Sequence, residues 1–220
     1  MFDTVSSLAY GSGMATLTRR PGPTSAKRAE IEARVLQATE ALLGEGASYT
    51  DLSIERIATR AGISRTAFYF YFHDKRELLM RLTEEVAELL YAEGDAWWSG
   101  EGDGPAELDS ALRKVIALYR EHGVLLRAVV EAAAVDDAVA GFWRALVGRF
   151  VEASRRRIEA EQAAGHIGPM PAEEVAFSLS WMTERACYQR LVQGADLADA
   201  GFTAGLVRIW TGAVYGRPAG

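Results

Sequence analysis

The chain has 220 residues, of which 49% are hydrophobic and 25% are charged, and its formal net charge is −6. This length suffices for one sizeable core or for a small domain joined to a larger one, and without an apolar run near 18 residues we expect no membrane span. The single cysteine excludes an internal disulfide, and three scattered histidines suggest no zinc site. We expect a cytoplasmic protein without a secretory signal, metal or other cofactor.

Charge is unevenly distributed along the chain. Residues 1–80 contain 10 lysines and arginines against 9 acidic residues, whereas residues 81–220 contain 14 against 21. Four basic residues lie close together near the N-terminus, namely Arg19, Arg20, Lys27 and Arg28. A mildly basic N-terminal part can present a cationic face to DNA although the whole chain is acidic.

The chain begins with a segment that predicts a flexible arm. Residues 1–23 are rich in Gly, Ser, Thr and Pro and have no usable period. Apolar residues at helical spacing then predict a helix over about 25–43. Gly44 and Gly46 follow it and are typical of a helix end.

Two short helices come next. Ser53 is a good N-cap for a helix over about 54–61, whose apolar residues point inward. Gly62 makes a tight break, and Ser64 can cap the following short helix. The sequence therefore predicts two helices joined by a tight turn.

Five consecutive aromatic residues, Phe68 to Phe72, allow either a strand or a helix. Aromatic residues favour strands, but a strand would need a partner, and no second convincing strand is present. On a helix, Phe68 and Phe72 lie four residues apart on the inward face, whereas Arg65 and Tyr69 share another face. The helix is the better prediction.

The rest of the chain predicts helices. Asp74 and Glu77 form a start that resembles a capping box for a long helix over about 75–98. Further helices, separated mostly by glycine, proline or aspartate, are predicted over about 106–121, 123–134, 136–164, 172–193 and 199–215. The sequence predicts an all-α fold of about nine helices with a small N-terminal unit of three.

The two short helices have the pattern of a helix-turn-helix. The N-terminal residues of such a second helix meet base edges in the major groove. Arg65 can reach guanine, Thr66 can contact a thymine methyl group or a phosphate, and Tyr69 offers a hydroxyl group. Tyr71 and Lys75 are placed to bind phosphates, beside the free N–H groups of the next helix. An ordinary corner between two helices is the alternative for the turn alone.

The tract from Leu52 to Leu79 resembles the DNA-binding signature of TetR-family transcriptional regulators. It shares the Ile-Ala pair, the Ala-Gly-Ile-Ser turn, the aromatic cluster, and a lysine followed by Glu-Leu-Leu. The resemblance implies a DNA-binding domain over 24–73 and a ligand-binding and dimerisation domain over 74–220. It also implies that a palindromic double-stranded operator is approached by Ser53, Ser64, Arg65, Thr66, Ala67, Tyr69, Tyr71 and Lys75.

Two tracts of the C-terminal part resemble the EthR subgroup of that family, namely Met182 to Arg185 and Arg208 to Gly216. In that subgroup they line a long apolar tunnel and support the dimer. Many large rings also fall on helices between 105 and 215, and such rings line pockets for drug-sized ligands. Core packing is the alternative for any single ring. We predict a pocket for a small apolar ligand, lined by Leu112, Ile116, Tyr119, Trp143, Phe150, Thr183, Cys187, Tyr188 and Trp210.

Two groups of charged residues allow more than one interpretation. Glu184 and Arg185 form either a charged pair in or beside the pocket or a solvated pair, and the sequence does not choose between them. The run Arg155 to Arg157 is predicted to form a solvated face. A second DNA-binding patch is the less favoured interpretation of that run.

A single helix-turn-helix reads too few bases for useful specificity. A two-fold homodimer is therefore expected, with recognition helices about 34–36 Å apart. The resemblance places the dimer surface on the helices at 172–193 and 199–215, in an isologous contact. The predicted function is that of a repressor released from DNA by a small apolar ligand.

Two alternatives stay open. The first is a DNA-binding regulator that is constitutive or controlled by a protein partner, which a pocket too small for a ligand would favour. The second, much less favoured, is a small helical enzyme. The sequence offers it no paired acid and base, no activated nucleophile and no Gly-rich phosphate loop.

Overall fold

The structure, a computed structural model, describes residues 25–100, 102–194 and 199–216. Within these ranges the chain forms α-helices and no strand, which confirms the all-α prediction. The predicted arm at 1–23, with Arg19 and Arg20, lies outside the described residues. The helices are α1 Ser25–Gly44, α2 Ile54–Ala61, α3 Arg65–Phe68, α4 Lys75–Ser99, α5 Gly104–Glu121, α6 Gly123–Ala133, α7 Asp137–Ala163, α8 Ala172–Cys187 and α9 Asp199–Tyr215.

Two helices end earlier than the sequence predicts. α3 closes at Phe68, and the chain continues in tighter turns in which the N–H of Tyr71 bonds the carbonyl of Phe68 at 2.9 Å. α8 ends at Cys187 and passes into a π-helical turn over Tyr188–Val192. These turns have other periods than an α-helix, but over a segment of about one turn the residue pattern alone does not mark the change.

The polar caps predicted for the N-terminal helices are present. The hydroxyl oxygens of Ser53 and Ser64 accept the N–H groups of Arg56 at 3.2 Å and Ala67 at 3.0 Å. The carboxylate of Asp74 accepts the N–H of Glu77 at 2.8 Å, and this hydrogen bond is the main reason why the pKa of Asp74 is lowered. These side chains satisfy helix-terminal donors that would otherwise lack partners.

α4 connects the N-terminal helices with the rest of the molecule. Near its start, Leu78 and Leu79 are fully buried in one core cluster with Phe68 of α3. Near its end, Trp97 is buried in a second cluster, against residues of α5 and α9. α4 also packs along α5 and α7. One uninterrupted helix therefore belongs to both cores.

One basic residue is placed differently from the prediction. Arg155 does lie on the surface, where it pairs with Glu152 and Glu159. Arg157 is buried and pairs with the equally buried Glu161 at 2.5 Å, so the prediction of a solvated face is wrong for this residue. The two arginines are two residues apart, about 200° around a helix, and so face opposite ways.

No helix in the described ranges is long and apolar enough to cross a bilayer. The same ranges contain no group of three or more histidine, cysteine or acidic side chains that could hold a metal ion. Cys187 is buried, and burial raises the pKa of its thiol to about 12.

Candidate nucleic-acid interface and ligand cavity

The turn between α2 and α3 requires glycine. Gly62 has a φ of +69°, in the left-handed region that other residues rarely adopt. A Cβ atom at this position would lie 2.8 Å from a guanidinium nitrogen of Arg34. That guanidinium donates to the carbonyl oxygens of Ala61 and Gly62, so α1 holds the turn in place. The angle between α2 and α3 is thereby fixed.

α3 presents a polar face above an apolar floor. Ser64, Arg65, Thr66 and Tyr69 are exposed, whereas Phe68 beneath them is fully buried. Arg65 forms no ion pair with any residue of the described ranges, so its guanidinium is available to an external partner. A short helix with such a face fits the major groove, where arginine can bond guanine in bidentate fashion.

Ser53, Ser64 and Ala67 support the same face. Each serine hydroxyl uses its oxygen to accept a backbone N–H, and its own proton remains to be donated to a phosphate oxygen. Ala67 is partly exposed between Thr66 and Tyr69, where a small side chain allows close approach. The structure thus brings these residues together, and their contacts with DNA stay predictions.

Sequence reasoning missed one residue of this surface. Phe70 is 71% exposed, beside Tyr69 at 48%. Phe68 and Phe72 were predicted to point inward, and Phe70, two residues from each, lies on the opposite face of a helix. This spacing could have identified Phe70 as exposed. An exposed ring at this place can contact a thymine methyl group in the major groove.

Tyr71 and Lys75 are less accessible than predicted. Tyr71 is 8% exposed, with the guanidinium of Arg28 5.7 Å from its ring centre. The ammonium of Lys75 donates to the carbonyl oxygens of Tyr49 at 2.8 Å, Thr50 at 3.0 Å and Leu52 at 3.0 Å. All three of its protons are therefore used, and its phosphate contact stays a prediction. Burial lowers the pKa of Lys75.

Lys75 accordingly ties the link before α2 to the start of α4. We expect Lys75→Met to lower the free energy of unfolding by about 1–3 kcal/mol, because three carbonyl groups lose a charged donor. Urea unfolding of the purified protein measures this change. Lys27→Met, on the exposed face of α1, is the matched control and should change the urea concentration at the midpoint of unfolding little. Equal midpoints for the two variants would contradict the role of Lys75.

A second candidate site is an apolar cavity of about 100 Å³ among helices α4 to α9. Of the nine predicted lining residues, the cavity includes six: Leu112, Tyr119, Trp143, Phe150, Thr183 and Trp210. The other three are buried in the core away from its wall: Ile116, Cys187 and Tyr188. Sequence reasoning missed the indoles of Trp97 and Trp98 on α4, which also line the cavity.

Few polar groups face this cavity. The hydroxyl of Thr183 accepts the indole N–H of Trp210 at 2.7 Å and donates to the carbonyl of Leu179 at 2.8 Å. Glu184 is only 4% exposed, and neither of its carboxylate oxygens has a hydrogen-bond partner in the described ranges; the hydroxyl of Ser180 is unpartnered too. Glu184 is thus neither solvated nor well paired.

The carboxyl group of Glu184 lies in mainly apolar surroundings. Burial raises the pKa of this carboxyl group, and Arg185 and the indole of Trp143 oppose the rise. Arg185 is 54% exposed and its Nε atom is 3.7 Å from the carboxylate, beyond hydrogen-bond distance. Trp143 lies near without reaching hydrogen-bond geometry. The carboxyl group therefore loses water without gaining a full partner.

Comparison with known proteins shows the family. Residues 35–82 match the model for bacterial regulatory proteins of the tetR family, and residues 108–216 match the C-terminal domain of the transcriptional regulator EthR. The HTH-type transcriptional regulator EthR of Mycolicibacterium smegmatis is 30% identical over 212 residues, which cover 92% of this chain and 95% of that protein. The chain belongs to the TetR family of bacterial transcriptional regulators.

Solved structures of other proteins share the fold of this chain. A TetR-family regulator from Syntrophomonas wolfei superposes with a TM-score of 0.72 at 20% identity, covering 84% of this chain and 96% of that one. AibR, solved in complex with isovaleryl coenzyme A and operator DNA, superposes with a TM-score of 0.61 at 18% identity. The match covers 86% of this chain and 99% of that one.

Membership of the TetR family confirms two expectations from the sequence. The chain is a DNA-binding transcriptional regulator, and its similarity to EthR extends through the C-terminal helices. The matched families and relatives are transcriptional regulators and not enzymes, so the enzyme alternative is dropped.

Proposed function

We propose that this TetR-family protein is a cytoplasmic, homodimeric repressor that a small apolar ligand releases from a palindromic operator. The observation that carries the proposal is the continuity of α4. Its C-terminal end lines the cavity with Trp97 and Trp98, and its N-terminal end packs Leu78 and Leu79 under the helix-turn-helix. The proposed domain boundary, near residue 74, falls where this helix begins.

The size of the cavity supports a coupling between ligand and DNA. Sites for drug-sized ligands measure about 300–1,000 Å³, whereas this cavity measures about 100 Å³. A larger ligand must push the surrounding helices apart, and α4 is one of them. A coupling free energy of about 1.4 kcal/mol suffices for a tenfold change in operator affinity.

The same small volume is the observation that favours a regulator without a small-molecule ligand. In that alternative the cavity is a packing defect, and α4 stays fixed. The two candidates differ in a direct measurement: a ligand that binds in the cavity and lowers operator affinity excludes constitutive binding.

The proposed dimer surface on α8 and α9 is supported by exposed apolar and small residues. Phe177 on α8 is 55% exposed and Ile209 on α9 is 49% exposed. Gly205 and Gly212 of α9 face open space, so a second helix could approach closely. An isologous contact between these helices would pair two recognition helices for a two-fold operator.

The proposed DNA contacts are tested with an operator selected from genomic fragments by the purified protein. We expect Arg65→Ala and Tyr69→Ala each to weaken binding about 10–100-fold, because a base contact is worth about 1–3 kcal/mol. Fluorescence anisotropy at two salt concentrations measures the affinities. Arg144→Ala, an exposed arginine on α7, is the control and should bind as the wild type does. Unchanged binding by both α3 variants would contradict the assignment.

A further inference from the structure

The cavity contains one feature that an apolar ligand alone does not explain. Among the described residues that line it, Glu184 is the only one with a carboxylate. Both oxygens are buried without a hydrogen-bond partner in the described ranges, and the Ser180 hydroxyl one turn earlier is unpartnered as well. Two neighbouring polar side chains thus offer unused acceptors in a mostly apolar chamber, where the indole nitrogen of Trp98 is the other buried polar atom without a partner in the described ranges.

A buried carboxylate without a hydrogen-bond partner is unfavourable. Its desolvation is only partly offset by Arg185, whose guanidinium is more than half exposed and lies beyond hydrogen-bond distance. A glutamine or leucine at this position would avoid the penalty. A molecule that enters the cavity and donates hydrogen bonds to Glu184 would remove this desolvation penalty.

The aromatic lining fits a positively charged donor. The rings of Trp97 and Trp210 meet edge to face with centres 5.8 Å apart, and those of Trp98 and Phe150 meet with centres 5.7 Å apart. Indole and phenyl faces attract cations and also hold hydrocarbon. An anionic ligand would instead be repelled by Glu184.

We propose that the effector is an apolar molecule carrying a protonated amine, which pairs with Glu184 and Ser180 while its hydrocarbon part lies among the aromatic rings. This inference rests on the proposed function, because it assigns a ligand class to the effector cavity. It distinguishes cationic amphiphiles from neutral lipids and from acyl anions as ligands of this chain.

The pH dependence of binding should report Glu184. The groups that act on this region are Arg185 and Cys187 on its own segment, Tyr119 and Arg120 on α5, and the non-ionising indole of Trp143. Burial raises the pKa values of Cys187 and Tyr119 above the range from pH 5 to pH 8, so neither group titrates within it. Since the raised pKa of Glu184 leaves more of it protonated at pH 5, amine affinity should increase toward pH 8.

The test uses titration calorimetry of the full chain with three probes of similar size: phenethylamine, 2-phenylethanol and 3-phenylpropanoate. We expect the wild type to bind the amine at least about tenfold more tightly than the alcohol. Glu184→Gln should reduce this preference to about twofold or less. Glu131→Gln, an exposed glutamate on α6, should retain the full preference. Glu184→Leu provides a second variant if the first does not fold.

Each other outcome has a defined meaning. Equal affinity for amine and alcohol, a preference that survives Glu184→Gln and Glu184→Leu, or no binding of any probe overturns the amine proposal. Operator release is measured separately by anisotropy. If the alcohol alone releases DNA, the ligand-responsive repressor stands and the amine class fails. If the amine binds through Glu184 and DNA stays bound, the site stands and the release mechanism fails.

Discussion

Phe68→Ala is expected to lower the free energy of unfolding by about 3–5 kcal/mol and to abolish operator binding. Phe68 is fully buried, and its ring lies 5.4 Å from that of Phe72, centre to centre. Truncation removes the apolar floor of α3 and leaves a cavity between α3 and α4. A helix of only four residues has little stability of its own, so this packing decides whether α3 keeps its position.

Phe70→Ala is the matched control for this prediction, because it removes the same ring from an exposed position two residues away. Its effect on stability should stay within about 0.5 kcal/mol. Urea unfolding followed by circular dichroism gives both values, and anisotropy on the selected operator gives both affinities. Phe70→Ala should weaken DNA binding without destabilising the fold. Similar stabilities for the two variants would contradict the assignment of Phe68 to the core.

The helix-turn-helix was predictable because its signals are local. Ser53, Gly62, Ser64 and Asp74 act on backbone groups within three or four residues of themselves, so their chemistry can be recognised in the sequence alone. The inward position of Phe68 followed in the same way from helical spacing. The end of α3 was not predictable, since periods of about 3.0 and 3.6 residues cannot be told apart over a single turn.

Other features depend on partners distant in the sequence. The carbonyl groups that hold Lys75 come from residues 23 to 26 positions earlier, and nothing in the local pattern distinguishes this lysine from a phosphate ligand. The cavity wall depends on the exact rotation of α5: Leu112, Ile116 and Tyr119 share one helical stripe, but Leu112 and Tyr119 line the cavity whereas Ile116 is buried in the adjoining core. The burial of Arg157 likewise depends on where α7 packs.

The second large effect is expected from Glu161→Ala. Glu161 is 4% exposed and accepts three partners: Arg157 at 2.5 Å, the Nδ1 atom of His166 at 2.6 Å and the hydroxyl of Tyr215 at 3.2 Å. That hydroxyl in turn accepts the indole N–H of Trp97 at 2.8 Å. The network connects α7 and α9 to the end of α4 that lines the cavity.

Removal of this one carboxylate leaves the buried guanidinium of Arg157 without its partner. We therefore expect the free energy of unfolding to fall by about 3–5 kcal/mol, measured by urea unfolding. Glu159→Ala is the control, since that glutamate forms an exposed pair with Arg155. This substitution should lower the free energy of unfolding by less than about 1 kcal/mol. A double variant, Arg157→Met with Glu161→Leu, should recover most of the loss because no buried charge remains. If it recovers nothing, the loss comes from packing and not from the stranded charge.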